Sequence, residues 1–180
     1  MDVIVGGPPC QGFSRVKRVD GTNNGSRLVD DKRRHLYSVM EVHQARKLTA
    51  HRARPHNDRD LRDFARLKEG ESSARAMRRG VQFEFPYRKD RFKDRYTRQS
   101  RWDACSTIVA HLSKDGLMFI HPTQNRSLTP REAAHIQSFP DWFEFPIART
   151  HQFRVIGNAV PPLVGEAVGI AIEGEQTFAA

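Results

Sequence analysis

The first residues combine a short apolar run with an abrupt stop. Residues 2–5 read Asp-Val-Ile-Val, and Gly-Gly-Pro-Pro follows at 6–9. An apolar run of this length that ends in turn residues is typical of a buried strand leading into a tight loop. Cys10 comes next, just past the predicted strand, where open α/β sheets place their ligand sites. The pattern therefore indicates an α/β protein with a candidate site at this loop.

The stretch up to residue 80 contains a predicted helix and then a segment of different composition. Apolar residues at helical spacing predict a helix that begins near residue 30 and runs to about residue 43. From about 45 to 80, Arg and Ala dominate and apolar residues are few, with only Leu61, Phe64 and Leu67 indicating a short helix. A segment of this composition is expected to bury little, as a disordered linker or a degraded segment.

Alternation and turn signals return after residue 80. Val81, Phe83 and Phe85 alternate as in a strand. Two apolar runs, at 108–112 and 117–120, flank an Asp-Gly pair, and this arrangement predicts a β-hairpin.

The last third of the chain carries a clear helix start and a rigid turn. Thr129, Pro130 and Glu132 predict a helix N-terminus with a capping box, so Arg131 and Glu132 are expected to stabilise the helix and not to touch substrate. Residues 157–162 read Gly-Asn-Ala-Val-Pro-Pro and predict a turn into a last helix. The apolar residues of that helix are Leu163, Val164, Ala167, Val168 and Ile172.

Length and cysteine content limit the class of protein. A chain of 180 residues with 38% hydrophobic residues suffices for one domain. No export signal and no apolar run of about 18 residues is found, so a cytoplasmic protein without a membrane partner is expected. Cys10 and Cys105 lack paired spacing, which argues against a disulfide or a zinc site, and the eight histidines show no metal-ligand spacing. We expect no metal.

The positive charge is concentrated in the middle of the chain. The net charge is +9, and residues 45–101 hold 18 Lys and Arg against 8 acidic residues. A basic block of this kind suits a phosphate backbone, because each neutralised phosphate releases counterions. The alternative is a solvated, partly disordered charged stretch.

Three segments carry a resemblance to a known family. Residues 7–14 read Gly-Pro-Pro-Cys-Gln-Gly-Phe-Ser, with prolines that stiffen the approach to the Cys10 thiol. Residues 126–134 with 138–141, and residues 152–162, follow in the same order. The three resemble the catalytic-loop motif, the structural helix and the closing motif of the DNA cytosine-5 methyltransferases. Cys105, in contrast, is expected to be a small buried apolar residue.

The resemblance implies a reaction and a set of site residues. Cys10 would be the nucleophile that adds to carbon 6 of cytosine, so that carbon 5 accepts a methyl group from S-adenosylmethionine. The target base in double-stranded DNA would leave the stack. By resemblance, Pro9 packs beside that base, Gln11 and Ser14 hold the displaced strand, and Asn158 and Val160 line the cofactor side. Ordinary loop and turn roles remain alternatives for Ser14 and Asn158.

The same resemblance implies a fold and a domain division. The fold would be a partial doubly wound, Rossmann-like S-adenosylmethionine-dependent methyltransferase sheet with a remnant of a target recognition region. Residues 1–44 would form the catalytic-loop strand and helix, 45–80 the basic linker or degraded segment, 81–126 the recognition remnant, and 127–180 the structural helix and closing motif.

Several of the family's elements are not found in the sequence. These are the glycine-rich cofactor segment, the Glu-Asn-Val triplet and the Gln-x-Arg-x-Arg segment. The cofactor site is therefore expected to be incomplete, and the chain to be a truncated or internally deleted member that is inactive alone. Two alternatives are a non-catalytic DNA-binding remnant and a half-enzyme that needs a separate chain carrying the cofactor-binding half. A cysteine hydrolase is a third, although no histidine base for Cys10 is specified.

Overall fold

A computed structural model describes residues 48–86, 96–114 and 116–177, with side chains described to residue 173. Within these ranges the chain forms five α-helices and one 3₁₀ helix. They are α1 (Asp58–Ala65), α2 (Ser73–Arg78), the 3₁₀ helix η1 (Ala110–Ser113), α3 (Pro130–Ile136), α4 (Arg149–Asn158) and α5 (Pro162–Thr177). The strand predicted at 2–5 and the helix predicted at 30–43 lie outside the described residues.

Side-chain caps explain where three of these helices begin. The Asn57 side chain accepts a hydrogen bond from the Asp60 N–H at the start of α1, and Ser72 caps α2. Thr129 and Glu132 form the complete capping box of α3, with Pro130 in its first turn. Caps satisfy N–H groups that have no partner within the helix. The predicted start of α3 is confirmed.

Strand pairing in the described residues is limited to three isolated bridges. These join Ser72 to Thr97, Arg98 to Ile120, and Ile120 to Ser127. The predicted hairpin is wrong, because residues 110–113 form η1 and not a strand. Val81, Phe83 and Phe85 lie in a segment without assigned secondary structure, so the predicted strand is not formed there, although Phe83 and Phe85 are buried. The doubly wound sheet stays a prediction.

Two hydrophobic clusters form the core. The C-terminal cluster is built around α3, α4 and η1, and its largest buried side chains are Ile108, Leu112, Phe119, Leu128, Ile136, Phe145, Phe153 and Ile156. The middle cluster combines the two short helices with extended segments through Phe64, Leu67, Ala76, Phe83, Phe85, Tyr96, Leu117 and Ile120.

The middle cluster corrects the expectation for residues 45–80. Phe64 and Ala76 are fully buried, and Leu67 is 5% exposed. Tyr96 packs edge-on against Phe64 with ring centroids 5.4 Å apart, and its hydroxyl donates to Asp60 at 2.7 Å. The expectation that this segment buries little is wrong, because distant residues supply the aromatic partners that its own composition lacks.

The last helix leaves much of its apolar surface uncovered in the described residues. Val168, Ile170 and Ile172 are each more than half exposed. By length and composition alone, the helical stretch 149–173 is sufficient to cross a membrane. Ala159, however, has extended backbone and ends α4. The 16 residues of α5 span roughly 24 Å, less than the roughly 30 Å of a bilayer core.

Candidate functional site

The junction between α4 and α5 presents two of the predicted site residues. Asn158 is the last residue of α4, and extended backbone at Ala159 redirects the chain toward α5. The Asn158 side chain is exposed, and Val160 is 67% exposed. Asn158 was predicted to lie in a turn that begins at Gly157, but both residues belong to the last turn of α4. The junction therefore offers a polar amide and an apolar side chain to a ligand.

Three contacts fix this junction against the C-terminal cluster. The Gln137 side-chain N–H donates to the Ile156 carbonyl at 3.0 Å in a buried position. The Ser138 hydroxyl accepts from the Leu163 N–H at 3.3 Å, which holds the start of α5. A Cβ on Gly157 would lie 2.4 Å from the Ala110 backbone nitrogen, so only glycine allows α4 to approach η1 this closely.

Buried charged groups support α3 beneath the junction. Glu132 accepts from both Arg126 guanidinium nitrogens at 2.8 Å and from the Thr129 N–H at 2.7 Å. Burial by itself raises the pKa of Glu132, but the Arg126 and Thr129 hydrogen bonds outweigh it and hold the pKa below its ordinary value. This network confirms that Glu132 stabilises the helix start.

Arg131 is fully buried and also serves the fold. Its guanidinium donates to the Thr49 carbonyl at 3.0 Å, the Pro140 carbonyl at 3.1 Å and the Phe143 carbonyl at 2.7 Å. These bonds fasten the segment before α1 and the loop after α3 to the same helix. Arg131 was expected to stabilise the start of the helix; it does serve the fold, but by joining neighbouring segments to α3.

A second buried arginine organises the loop at 121–125. Arg98, 5% exposed, donates to the carbonyls of Phe64, Leu67, His121 and Gln124 and to the Asn125 side chain. Thr123, Gln124 and Asn125 remain exposed at the tip of this loop. No sequence signal pointed to Arg98, because its partners are backbone carbonyls supplied from two distant segments.

Cys105 is excluded as a nucleophile by its surroundings. It is 6% exposed, and its thiol donates to the Gln99 side-chain oxygen at 3.2 Å. Burial raises the pKa of the Cys105 thiol to about 12, so the reactive thiolate is negligible at neutral pH. The prediction that Cys105 is a buried structural residue is confirmed.

Several arginines in the described part of the basic middle block pair with carboxylates of the same block. Arg62 and Arg66 both pair with Glu84, at 2.7 and 2.8 Å, and Arg79 pairs with Glu71 at 2.8 Å. The described part of the block, residues 48–86 and 96–101, is thus neither a bare phosphate-binding surface nor a disordered charged stretch. Any contact with a phosphate group must come from arginines that are not paired with carboxylates.

The nucleophile loop is not part of this geometry. Pro9, Cys10, Gln11 and Ser14 lie outside the described residues, so their roles stay predictions, as do those of Asn158 and Val160. Within 48–86, 96–114 and 116–177, no group of three or more His, Cys, Asp or Glu side chains could hold a metal ion.

Comparison with known proteins shows the family of the chain. A family model described as C-5 cytosine-specific DNA methylase matches residues 18–174. The chain therefore belongs to the C-5 cytosine-specific DNA methylase family.

Individual relatives agree with this family. The chain is 51% identical to the Type II methyltransferase M.AgeI of Thalassovita gelatinovora over 83 residues, covering 46% of this chain and 19% of the relative. It is 38% identical to the Type II methyltransferase M.Bpa9945I of Bacillus paralicheniformis over 146 residues, covering 76% of this chain and 32% of the relative.

A solved structure is also similar to the chain. It is described as a DNA modification methyltransferase encoded within a prophage of E. coli. The TM-score is 0.44 at 32% identity, and the match covers 63% of this chain and 25% of that one. Across M.AgeI and M.Bpa9945I, the chain spans about a fifth to a third of the relative's length.

Proposed function

We propose that the chain is part of a DNA cytosine-5 methyltransferase that acts on cytosine in duplex DNA, in the cytoplasm. The observation that carries the proposal is the family match over residues 18–174. The catalytic-loop sequence at 7–14, which precedes that match, supplies the nucleophile.

The proposed chemistry depends on the Cys10 thiolate. It adds to carbon 6 of the cytosine ring, and the electron pair at carbon 5 would take the methyl group of S-adenosylmethionine, whose methyl–sulfur bond breaks so that the donor leaves as a neutral thioether. A base then removes the proton from carbon 5, and elimination returns the Cys10 thiolate and the carbon 5–carbon 6 double bond. Pro9 would pack beside the flipped base, while Gln11 and Ser14 would hold the displaced strand.

The α4–α5 junction fits a role on the cofactor side. S-adenosylmethionine supplies the methyl group when bound, and it carries both polar amino-acid and nucleoside groups and apolar carbons. Asn158 offers an exposed amide, and Val160 offers an apolar side chain that is 67% exposed. The two residues would hold part of this ligand from a junction that Gln137 and Ser138 fix in place.

The test uses a duplex in which the target cytosine carries fluorine at carbon 5. Fluorine cannot leave as a proton does, so a completed methyl transfer traps Cys10 on the base. If the chain acts alone, it should form a covalent complex that resists denaturation, requires S-adenosylmethionine and is absent in Cys10→Ser, and this result would overturn the expectation from the sequence that the isolated chain is inactive. Cys105→Ser is the matched control and should still form the complex, because the Cys105 thiol is buried and protonated.

Two other outcomes would count against this proposal. A complex that persists in Cys10→Ser would contradict the assignment of the nucleophile. A folded chain that binds duplex DNA with a steep salt dependence but forms no adduct would favour a non-catalytic DNA-binding role.

A second candidate is a half-enzyme that acts with a separate chain carrying the cofactor-binding half. The exposed apolar side chains of α5 favour it, because an uncovered apolar surface commonly marks a site of association. The product of a neighbouring reading frame that carries this half, mixed with the chain, should then give the Cys10 adduct that neither gives alone. Val168→Asp, on α5, should weaken that complementation.

A further inference from the structure

An open cavity of about 730 Å³ lies between residues 50–55 and the start of α4. Among the residues that the structure describes, its lining includes Arg52, Arg54, Arg149, Thr150 and Gln152 and contains no carboxylate. The three guanidinium groups in this described lining give the cavity a positive potential. It lies outside the α4–α5 junction, at the opposite end of α4.

Two of the arginines fasten the walls of the cavity. Arg54 donates to the Lys114 carbonyl at 2.8 Å and the Leu112 carbonyl at 3.2 Å, and its guanidinium lies over the Phe153 ring. Arg149 donates through one nitrogen to the Ala53 carbonyl at 3.1 Å, which joins α4 to the facing segment. The cavity therefore keeps its shape without a ligand.

The remaining hydrogen-bonding capacity is available to an anion. Arg52 is exposed and has no hydrogen bond or ion pair within the described ranges. Arg149 uses one of its five donors in the bond to Ala53. Ala148 provides no side-chain cap for α4, so the first N–H groups of that helix add to the positive potential at the same place.

We propose that this cavity binds a backbone phosphate of the DNA, with Arg52 and Arg149 as the ligating side chains. The proposal rests on the proposed function, since it names how this chain holds its substrate. Guanidinium groups match the geometry of phosphate oxygens. An open cavity admits a phosphate within a continuous strand, whereas a closed one admits only a free anion.

Such a contact has a specific thermodynamic signature. Each phosphate neutralised on duplex DNA contributes about 0.9 to the slope of log K against log salt concentration. A phosphate contact carries no sequence information, so its loss weakens binding to all duplexes equally.

The experiment measures binding of a fluorescein-labelled duplex to the full chain by anisotropy at several salt concentrations. Arg52→Ala should lower the salt slope by about one and weaken binding several-fold, equally for cytosine-rich and cytosine-poor duplexes. Arg78→Ala is the matched control, because Arg78 is also exposed but lies on α2, away from the cavity. It should leave the slope unchanged.

The outcomes separate this proposal from the proposed function. If the wild type forms the Cys10 adduct but Arg52→Ala has the same salt slope as Arg78→Ala, the cavity proposal alone is wrong. If the wild type neither binds duplex DNA nor forms the adduct, both fail. Binding of inorganic phosphate, measured by calorimetry, that Arg52→Ala abolishes while the DNA slope stays unchanged would show a free-anion site and overturn the DNA assignment.

Discussion

The C-terminal cluster and the middle cluster reach the same degree of burial by different means. In the C-terminal cluster, α3 and α4 bring regularly spaced apolar residues together, and Gly157 lets α4 lie directly on η1. In the middle cluster, helices of eight and six residues contribute few apolar side chains, and aromatic rings from other segments complete the core. Short helices in an arginine-rich segment can thus form a core when partners far along the chain supply the missing surface.

Each region also contains one buried arginine whose hydrogen bonds are accepted mainly by backbone carbonyls. Arg131 joins segments around α3, whereas Arg98 joins the end of α1 to the loop at 121–125. Charge-assisted hydrogen bonds of this kind are stronger than neutral ones. The helices of the middle cluster are only eight and six residues long. Hydrogen bonds of this kind therefore help to connect its segments.

The largest expected effects come from removing one aromatic ring from each cluster. Phe64→Ala and Phe153→Ala should each cost about 3–5 kcal/mol, because both rings are essentially fully buried. Hydrogen exchange should then rise most in α1 and α2 for Phe64→Ala, and most in α4 for Phe153→Ala. Leu61→Ala, a control on the same helix as Phe64 at a 36% exposed position, should have a much smaller effect.

If removing either ring accelerated hydrogen exchange equally in both clusters, the two clusters would not be stabilised separately. This result would show that the two clusters unfold as one cooperative unit.

A smaller effect should separate two glycines of the C-terminal region. Gly157→Ala places a Cβ 2.4 Å from backbone atoms of residues 109 and 110, so α4 must shift, at a cost of about 1–3 kcal/mol. Gly165→Ala, on α5, meets no atom within 4 Å and should stabilise by about 0.5–1 kcal/mol through helix propensity. Urea unfolding of both variants measures the contrast. An unchanged midpoint for Gly157→Ala would show that the contact with η1 is loose.

The smallest expected effect concerns pH. Burial lowers the pKa of His135 below its ordinary value of 6.5, and this outweighs the opposing effects of Asp141, its hydrogen-bond partner, and Glu132, while Arg131 lowers the pKa further. The unfolded chain therefore takes up the proton first, and stability falls as pH drops below about 6.5, until the folded state is protonated as well.

Urea unfolding from about pH 7 to about pH 5 should show this loss, and His135→Gln should reduce it. His56, near the middle cluster, also has a pKa lowered by burial, so part of the loss should remain in that variant. His151→Gln, at an exposed position on α4, is the control. A pH profile that is identical in His135→Gln and the wild type would remove His135 from this account.

Local sequence signals predicted the regions whose structure is locally determined. The capping box of α3 is complete within residues 129–132, so the sequence alone predicted it, and Cys105 was correctly expected to be buried. The hairpin prediction failed because η1 is stabilised by Arg54, which lies 58–60 residues away and donates to the carbonyls at its end. The core of residues 58–78 was missed for the same reason, since its partners Phe83, Phe85 and Tyr96 come from outside that segment.

The candidate site residues also differ in whether a local sequence signal predicted them. Asn158 and Val160 were named by a local motif and are exposed at a fixed junction. The cavity beside Arg52 and Arg149 gave no signal in the sequence, because residues almost a hundred positions apart form its two walls.

At Gly157, α4 contacts the backbone at the start of η1 with no side chain between them, and this affects how a movement of one element is transmitted to the other. Side chains between two elements act as a compliant layer, since they can change rotamer when one element moves. At Gly157 that layer is missing, and α4 rests directly on the backbone of residues 109–110. Because Asn158 directly follows Gly157, a displacement of this end of α4 should also displace η1.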